Sequence, residues 1–338
     1  MNETAQILVR HNVDLKTFRE EIVPEALPVV LKDLVKDWPA VKAGRESPRA
    51  LANFLRGLDR GNPILVMEAP PSVRGRIFYR EDMSGLNFER RPGTITATLE
   101  RLLGQAQDPN PSTVFIESAP TESALPAFSA AHPMPLVAPE FQPRIWIGNF
   151  VTVRTHFDLF ENIACVVGGR RRFTLFPPDQ VTNLYLGPVD FTPSGVPVSM
   201  VPPHEPDLAR FPRFAEALRH SRSAELEPGD ALYIPYGWWH HVESLTPFNV
   251  LVNYWWNTAP NLGSPYSVLL HAALTLRDLP ADQRAVWRAL FDNFIFTDPE
   301  ISMGHLAPEK RGLLGPRSAA RTREVRSILA QMFNKPGT

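Results

Sequence analysis

The chain has 338 residues, 43% of them hydrophobic and 21% charged, with a formal net charge of −1. That length holds one large domain or two, and the balance excludes a global basic field of the kind that recruits nucleic acid. A single cysteine, Cys165, excludes an internal disulfide and a cysteine-based zinc knuckle. No apolar run approaches the ~20 residues of a membrane span, and the opening MNETAQILVRHNVDL lacks the blocks of a signal peptide. The expected setting is cytoplasmic and away from the membrane.

Residues 1–110 alternate helix and strand signals, the pattern of an α/β elaboration packed on a core. Asp14 can cap a helix whose Phe18 and Ile22 share a face, and Pro24 ends it. PVVL (28–31) and ILVM (64–67) read as short buried strands. Ser47-Pro48 opens a helix with Leu51, Phe54, Leu55 and Leu58 at helical spacing, and TITATLERLLG (94–104) predicts another. Residues 111–258 are strand-rich. TVFIE (113–117), RIWIGNF (144–150), NIACVV (162–167), RRFTLF (171–176), DALYIP (230–235) and NVLVNYWW (249–256) are β-branched or aromatic runs, punctuated by Gly, Pro and Asp. Short strands without long intervening helices predict a jelly roll rather than a parallel α/β sheet. The fold class is therefore mainly β with flanking helices. Residues 259–338 read as helical: Ser264-Pro265 opens one helix, Asp282 can cap a second running through Phe296, and Val325, Ile328, Leu329 and Met332 mark a last one. The second is apolar on more than one face (Val286, Trp287, Leu290, Phe291, Phe294), which suits either packing on the core or a homodimer interface.

The chemistry is concentrated in THFDLFENIACVVGGRRRFTLFPP (155–178) and EPGDALYIPYGWWHHVESL (227–245). On a strand, residues two apart share a face, so His156 and Asp158 can bind one ion together. The second segment offers His240 and His241, 84 and 85 positions downstream of His156, enough chain for a jelly roll to bring the strands together. Two imidazoles and a carboxylate on one side of an ion make the facial triad of non-heme Fe(II) oxygenases. Only one of two adjacent strand residues can face that ion.

These two segments, together with VNYWW (252–256) and LPVVLKDLVKDWPAV (27–41), resemble the Jumonji C / cupin-like oxygenases. The closest resemblance is to the branch containing the asparaginyl hydroxylase that inhibits hypoxia-inducible factor. It covers residues from about 15 to 260 and implies a double-stranded β-helix, Fe(II) and dioxygen, 2-oxoglutarate as cosubstrate, and a polypeptide substrate. It implies metal ligands at His156, Asp158 and His240, asparagines near the cosubstrate at Asn162 and Asn253, an aromatic wall at Trp255, and a cavity lined by the GWWHH segment (237–241). The family's cosubstrate-binding lysine after the hairpin corresponds to Arg171, whose guanidinium can form a two-point pair with a carboxylate. Alternation along Arg170, Arg171 and Arg172 sends at least one of the three outward. The chain departs from the family at Phe115, where a carboxylate-binding tyrosine is expected, and at Val153, where a threonine is expected; Tyr79 or Tyr233 are the candidates to replace the missing hydroxyl. The reading is a 2-oxoglutarate-dependent dioxygenase that hydroxylates an unactivated C–H bond of a protein side chain. Its rivals are a hydroxylase of a small molecule or tRNA base, and a non-catalytic metal-binding module.

Overall fold

Eight antiparallel strands form the centre of the computed structural model, which describes residues 5–257 and 263–333. They are β1 (Arg144–Gly148), β2 (Thr152–Phe157), β3 (Glu161–Gly168), β4 (Arg171–Phe176), β5 (Arg222–Leu226), β6 (Ala231–Ile234), β7 (Trp239–Ser244) and β8 (Asn249–Trp256). Two four-stranded groups result, ordered β5-β4-β7-β2 and β6-β3-β8-β1, which is the strand order of a jelly roll. Short strands of Val, Ile and aromatic residues, each ended by Gly, Pro or Asp, cannot bury one face alone, and facing sheets supply the missing layer.

The larger sheet is extended by strands from the N-terminal region. Leu8–His11 and Val29–Lys32 lie on one edge, and Thr113–Pro120, Ile64–Ala69 and Glu89–Gly93 on the other. Its outer face packs against helices Pro48–Leu58 and Ile95–Gln105, whose Leu51, Leu55, Leu99 and Leu102 meet Ile163, Cys165, Val167, Val250 and Val252 in one apolar cluster. Ser47 and Thr94 cap these helices by accepting from the amides of Ala50 and Ala97.

Between the sheets lies a second layer, formed by Ala164, Val166, Phe173, Leu175, Leu232, Val242 and Leu251. The outer face of the smaller sheet is covered by the connection 177–221, where Leu184, Val201 and Phe214 pack on Phe176 and Trp239. The hairpin between β3 and β4 turns at Gly169, whose φ of 75° favours glycine and whose Cβ position would lie against Asn249 and Thr246.

The chain divides into two compact units, residues 1–262 and 263–338. The second unit is helical, with Pro265–Leu276, Ala281–Phe291 and Ala319–Phe333 as its longest helices. Leu274, Phe296 and Ile301 are among its exposed apolar side chains. Ser264 caps the first helix as expected, but the second starts at Pro280, with Asp282 in its first turn rather than at its cap. Proline's fixed φ suits that entry. Among the described residues no helix is long and apolar enough to cross a membrane.

Candidate active site

Strands β2 and β7 pair antiparallel, and the register sets His240 directly opposite His156. This cross-strand pairing closes the long sequence gap between the two histidines. Their rings are 4.3 Å apart, and His240 Nε2 is 3.6 Å from Asp158 Oδ2. One ligand atom from each of His156, Asp158 and His240 lies within 4.8 Å of the others, so the three can hold one metal ion. His241, the neighbour of His240, falls on the opposite face of β7, as strand alternation requires.

The backbone fixes how the imidazoles are presented. His156 Nδ1 bonds to the carbonyl of Arg154 at 2.8 Å, and His240 Nδ1 to the carbonyl of Trp238 at 3.0 Å. With Nδ1–H donating, each Nε2 keeps its lone pair for an ion. Burial, then the neighbouring His240, depress the His156 pKa to about 4, so its imidazole is neutral at physiological pH. Asp158 Oδ2 accepts from Asn162 Nδ2 at 3.2 Å and from Trp255 Nε1 at 3.1 Å. Asn253 Nδ2 donates to Asn162 Oδ1 at 3.4 Å, and Trp146 Nε1 to Asn253 Oδ1 at 2.8 Å. A polar chain thus runs from the carboxylate into the larger sheet, and Asn162, Asn253 and Trp255, all expected near the site, belong to it.

The triad opens into a cavity of about 110 Å3 between the sheets. Phe115, Val153, Phe173, Ile234, Val242 and Leu251 form much of its apolar wall, and Arg171 enters it from β4. Arg171 is 2% exposed, whereas Arg170 and Arg172 face outward beside Glu225. The Nε and Nη2 of Arg171 have no protein hydrogen-bond partner. Burial lowers its pKa to about 10, which leaves it charged at neutral pH. A buried, unpaired guanidinium is costly, so the cavity is built to receive an anion. Three convergent ligand atoms and an orphaned cation in one pocket fit a metal ion with an acidic cosubstrate.

Several expectations change. Of the GWWHH segment, His240 lines the cavity; Trp238 packs between the sheets and donates to the Ala26 carbonyl, and Trp239 lies on the outer face with Phe157. Neither tyrosine replaces the hydroxyl missing at Phe115. Tyr79 donates to the Phe191 carbonyl at 2.7 Å and Tyr233 to Glu161 at 2.7 Å. Three cavity residues that carry polar side-chain atoms went unrecognised in the sequence. Trp146 was legible, because Ile145 and Ile147 mark the opposite face of β1. Glu117 was legible too, two residues after Phe115 on the strand Thr113–Pro120, whereas Ser194, in the connection 177–221, was not. The Ser194 hydroxyl is buried in the cavity wall without a protein partner.

The whole constellation lies inside a region that matches the family described as cupin-like domain, over residues 15–262. HSPB1-associated protein 1 of Homo sapiens is 39% identical over 113 residues, 33% of this chain and 22% of that protein. Lysine-specific demethylase JMJ31 of Arabidopsis thaliana is 38% identical over 104 residues, 31% of this chain and 18% of that protein. tRNA wybutosine-synthesizing protein 5 of Danio rerio is 28% identical over 284 residues, 77% of each chain. The chain spans less than a quarter of the length of the HSPB1-associated proteins it matches. With its jelly roll and a family match over most of its length, the chain belongs to the cupin-like, JmjC-type domain family.

Proposed function

We propose that this protein is an Fe(II)- and 2-oxoglutarate-dependent dioxygenase that hydroxylates an unactivated C–H bond, with a protein side chain as substrate. The observation that carries the proposal is Arg171, a buried cation without a protein partner in the same cavity as His156, Asp158 and His240. A binding module that only holds a metal has no use for that cation. When bound, iron would activate dioxygen with electrons from oxidative decarboxylation of the oxo acid. His156, Asp158 and His240 would hold the metal through two neutral nitrogens and one carboxylate. Arg171 would hold the cosubstrate carboxylate farthest from the metal, a task for which its planar fork is suited. The bonds from Asn162 and Trp255 fix the orientation of Asp158 and keep its charge directed at the metal. The apolar wall excludes water from the reacting centre.

The cavity is small beside the ~300–1,000 Å3 of sites that enclose a drug-sized ligand. It suits a cosubstrate, and the primary substrate would present its reacting carbon at the mouth. There Trp255 stacks at 6.0 Å on Phe160, which is exposed. Such a rim suits a polypeptide. A second reading, hydroxylation of a modified tRNA base, is favoured by the likeness to tRNA wybutosine-synthesizing protein 5 over 77% of both chains. The net charge of −1 supplies no general attraction for RNA. A second copy of the chain, bound through the helices after residue 262, is the proposed oligomer; sedimentation as a monomer at micromolar concentration would remove it.

The deciding experiment supplies purified protein with Fe(II), ascorbate and 2-oxoglutarate and measures oxygen uptake and succinate formation. Turnover of oxo acid by the wild type, absent in Asp158→Ala, is expected. No turnover with peptide pools, tRNA or oxo acid alone would favour the non-catalytic module. Stimulation by tRNA and not by peptides would select the second reading.

A further inference from the structure

We propose a second divalent-cation site, suited to Zn(II), on the outer face of the smaller sheet, formed by His204, His241 and Glu243. This site is independent of the cavity described above and shares no ligand with it. His241 and Glu243 are two apart on β7 and point away from His240, while His204 comes from the connection 177–221. One ligand atom from each lies within 4.8 Å of the others. His204 Nδ1 is 3.8 Å from Glu243 Oε1, and the two imidazole rings are 5.9 Å apart.

His241 is the decisive member. It is fully buried, and neither of its ring nitrogens has a protein partner. His132, equally buried in the apolar layer, shows how a structural histidine is satisfied: Nδ1 bonds to the Phe128 carbonyl, and Nε2 accepts from the Ala40 amide. His241 has no such arrangement, so a group from outside the protein must complete it.

Two cations oppose a metal here. Arg172 Nη1 is 3.6 Å from Glu243 Oε2, but its nearer partner is Glu225 at 2.7 Å. Arg154 lies over the Phe78 ring at 4.3 Å, an attraction that partly offsets the burial of its charge, while its Nε and Nη1 have no protein hydrogen-bond partner. Against that repulsion stand three donor atoms in a two-histidine, one-carboxylate set, a combination that zinc accepts with bonds of ~2.0–2.2 Å. The side chains of His204 and Glu243 are 30% and 15% exposed, so an ion has a path inward.

The consequence is mechanical. An ion here ties the connection 177–221 to the strand that carries His240. The same connection supplies Ser194 to the catalytic cavity wall. Val201, three residues before His204, is already packed with Phe176 and Trp239.

The test uses full-length protein stripped with a chelator and titrated with Co(II) as the probe. Low-coordinate cobalt absorbs strongly in the visible, whereas a six-coordinate facial-triad site absorbs weakly. Wild type should take up two equivalents. His204→Ala, a change at the surface that leaves the buried His241 in place, should take up one and lose the strong band. His156→Ala should also take up one but keep the band. In the His156→Ala background, Zn(II) should raise the thermal midpoint, and the additional His204→Ala change should abolish that rise. A wild-type stoichiometry of one up to millimolar Co(II), unchanged by His204→Ala, would overturn the proposal and assign buried water to His241.

Discussion

The two faces of the larger sheet are built from alternate residues of the same strands and are equally buried, yet their chemistry is opposite. On β3, Ile163, Cys165 and Val167 face the helices while Asn162 and Ala164 face the cavity. On β8, Val250, Val252 and Tyr254 face the helices while Asn253 and Trp255 face the cavity. The helix side is apolar and closed, and its buried histidine, His132, is satisfied by two hydrogen bonds. The cavity side sends hydrogen bonds from Asn162 and Trp255 to Asp158, and it faces the unpartnered guanidinium and the three ligand atoms that the smaller sheet supplies. Period-two alternation therefore lets one strand serve stability and chemistry at once. Departures from local satisfaction mark the face that awaits a ligand.

Separability of the two faces can be broken by substitution. The largest expected effect is in the triad: His156→Ala or His240→Ala should weaken Mn(II) binding by at least about 100-fold while the far-ultraviolet circular dichroism stays native, because even partners behind a ligand are worth 10–100-fold. His241→Ala, provided it folds, should leave binding at the triad in place. Next is Arg171→Ala, expected to cost about 2–5 kcal/mol of 2-oxoglutarate affinity with Mn(II) affinity nearly unchanged, as for buried charge pairs that lose a partner. Arg171→Lys should recover part of it. Equal 2-oxoglutarate affinity in all three proteins, read by calorimetry, would place the cosubstrate elsewhere. On the other face, Leu51→Ala should lower unfolding stability by about 2–5 kcal/mol in a denaturant titration. Mn(II) affinity per folded molecule should not move. A parallel loss of metal affinity would show that the faces are coupled.

Much of this division was legible in the amino-acid sequence, because it rests on short-range rules. RRFTLF and NVLVNYWW coincide with β4 and β8 residue for residue, since β-branched and aromatic runs bounded by Gly and Pro leave little choice. Alternation required at least one of Arg170, Arg171 and Arg172 to face outward and only one of His240 and His241 to face the ion; the family resemblance singled out Arg171 and His240. Sequence alone could not supply contacts made by loops, whose positions follow from packing rather than period. Ser194 and His204 carry no pattern that distinguishes them, and both meet strand residues only after the connection 177–221 folds back. Trp238 and Trp239 show the opposite error. A motif near a ligand suggested that its neighbours line the cavity, but the turn before β7 sends Trp238 elsewhere between the sheets and pleating places Trp239 on the outer face.

A smaller effect is expected behind the ligands. Asn162→Ala removes one of the two side-chain donors to Asp158 and breaks the chain to Asn253, which should weaken Mn(II) binding about 10-fold to 100-fold without changing the fold. Trp146→Phe removes the donor to Asn253, one step farther out, and should cost less. The order Asn162 before Trp146 tests whether the polar chain acts through Asp158. The reverse order, or no effect from either, would mean that the chain only completes buried hydrogen bonds.

The smallest effect is a pH dependence of stability that both faces share. Burial depresses the pKa of His132 on the helix side, and of His156 to about 4 on the cavity side. In the unfolded chain both titrate near 6.5. Above that value neither state binds the proton, and the two histidines contribute nothing to the slope. As pH falls through 6.5, the unfolded chain takes up protons that the folded protein refuses, so stability drops. For His156 the loss continues down to about pH 4, where the folded protein also accepts the proton. Denaturant midpoints for the metal-free protein should therefore fall between pH 7 and pH 5, before most carboxylates titrate. His132→Gln and His156→Gln should each flatten that slope, the first without affecting the metal site and the second together with loss of metal binding. Saturating Mn(II) should steepen the wild-type slope, because an ion on His156 makes the folded state refuse the proton more strongly, and should leave that of His156→Gln unchanged. A slope insensitive to both substitutions would show that these histidines bind protons in the folded protein as they do in the unfolded chain, without the depression that burial implies.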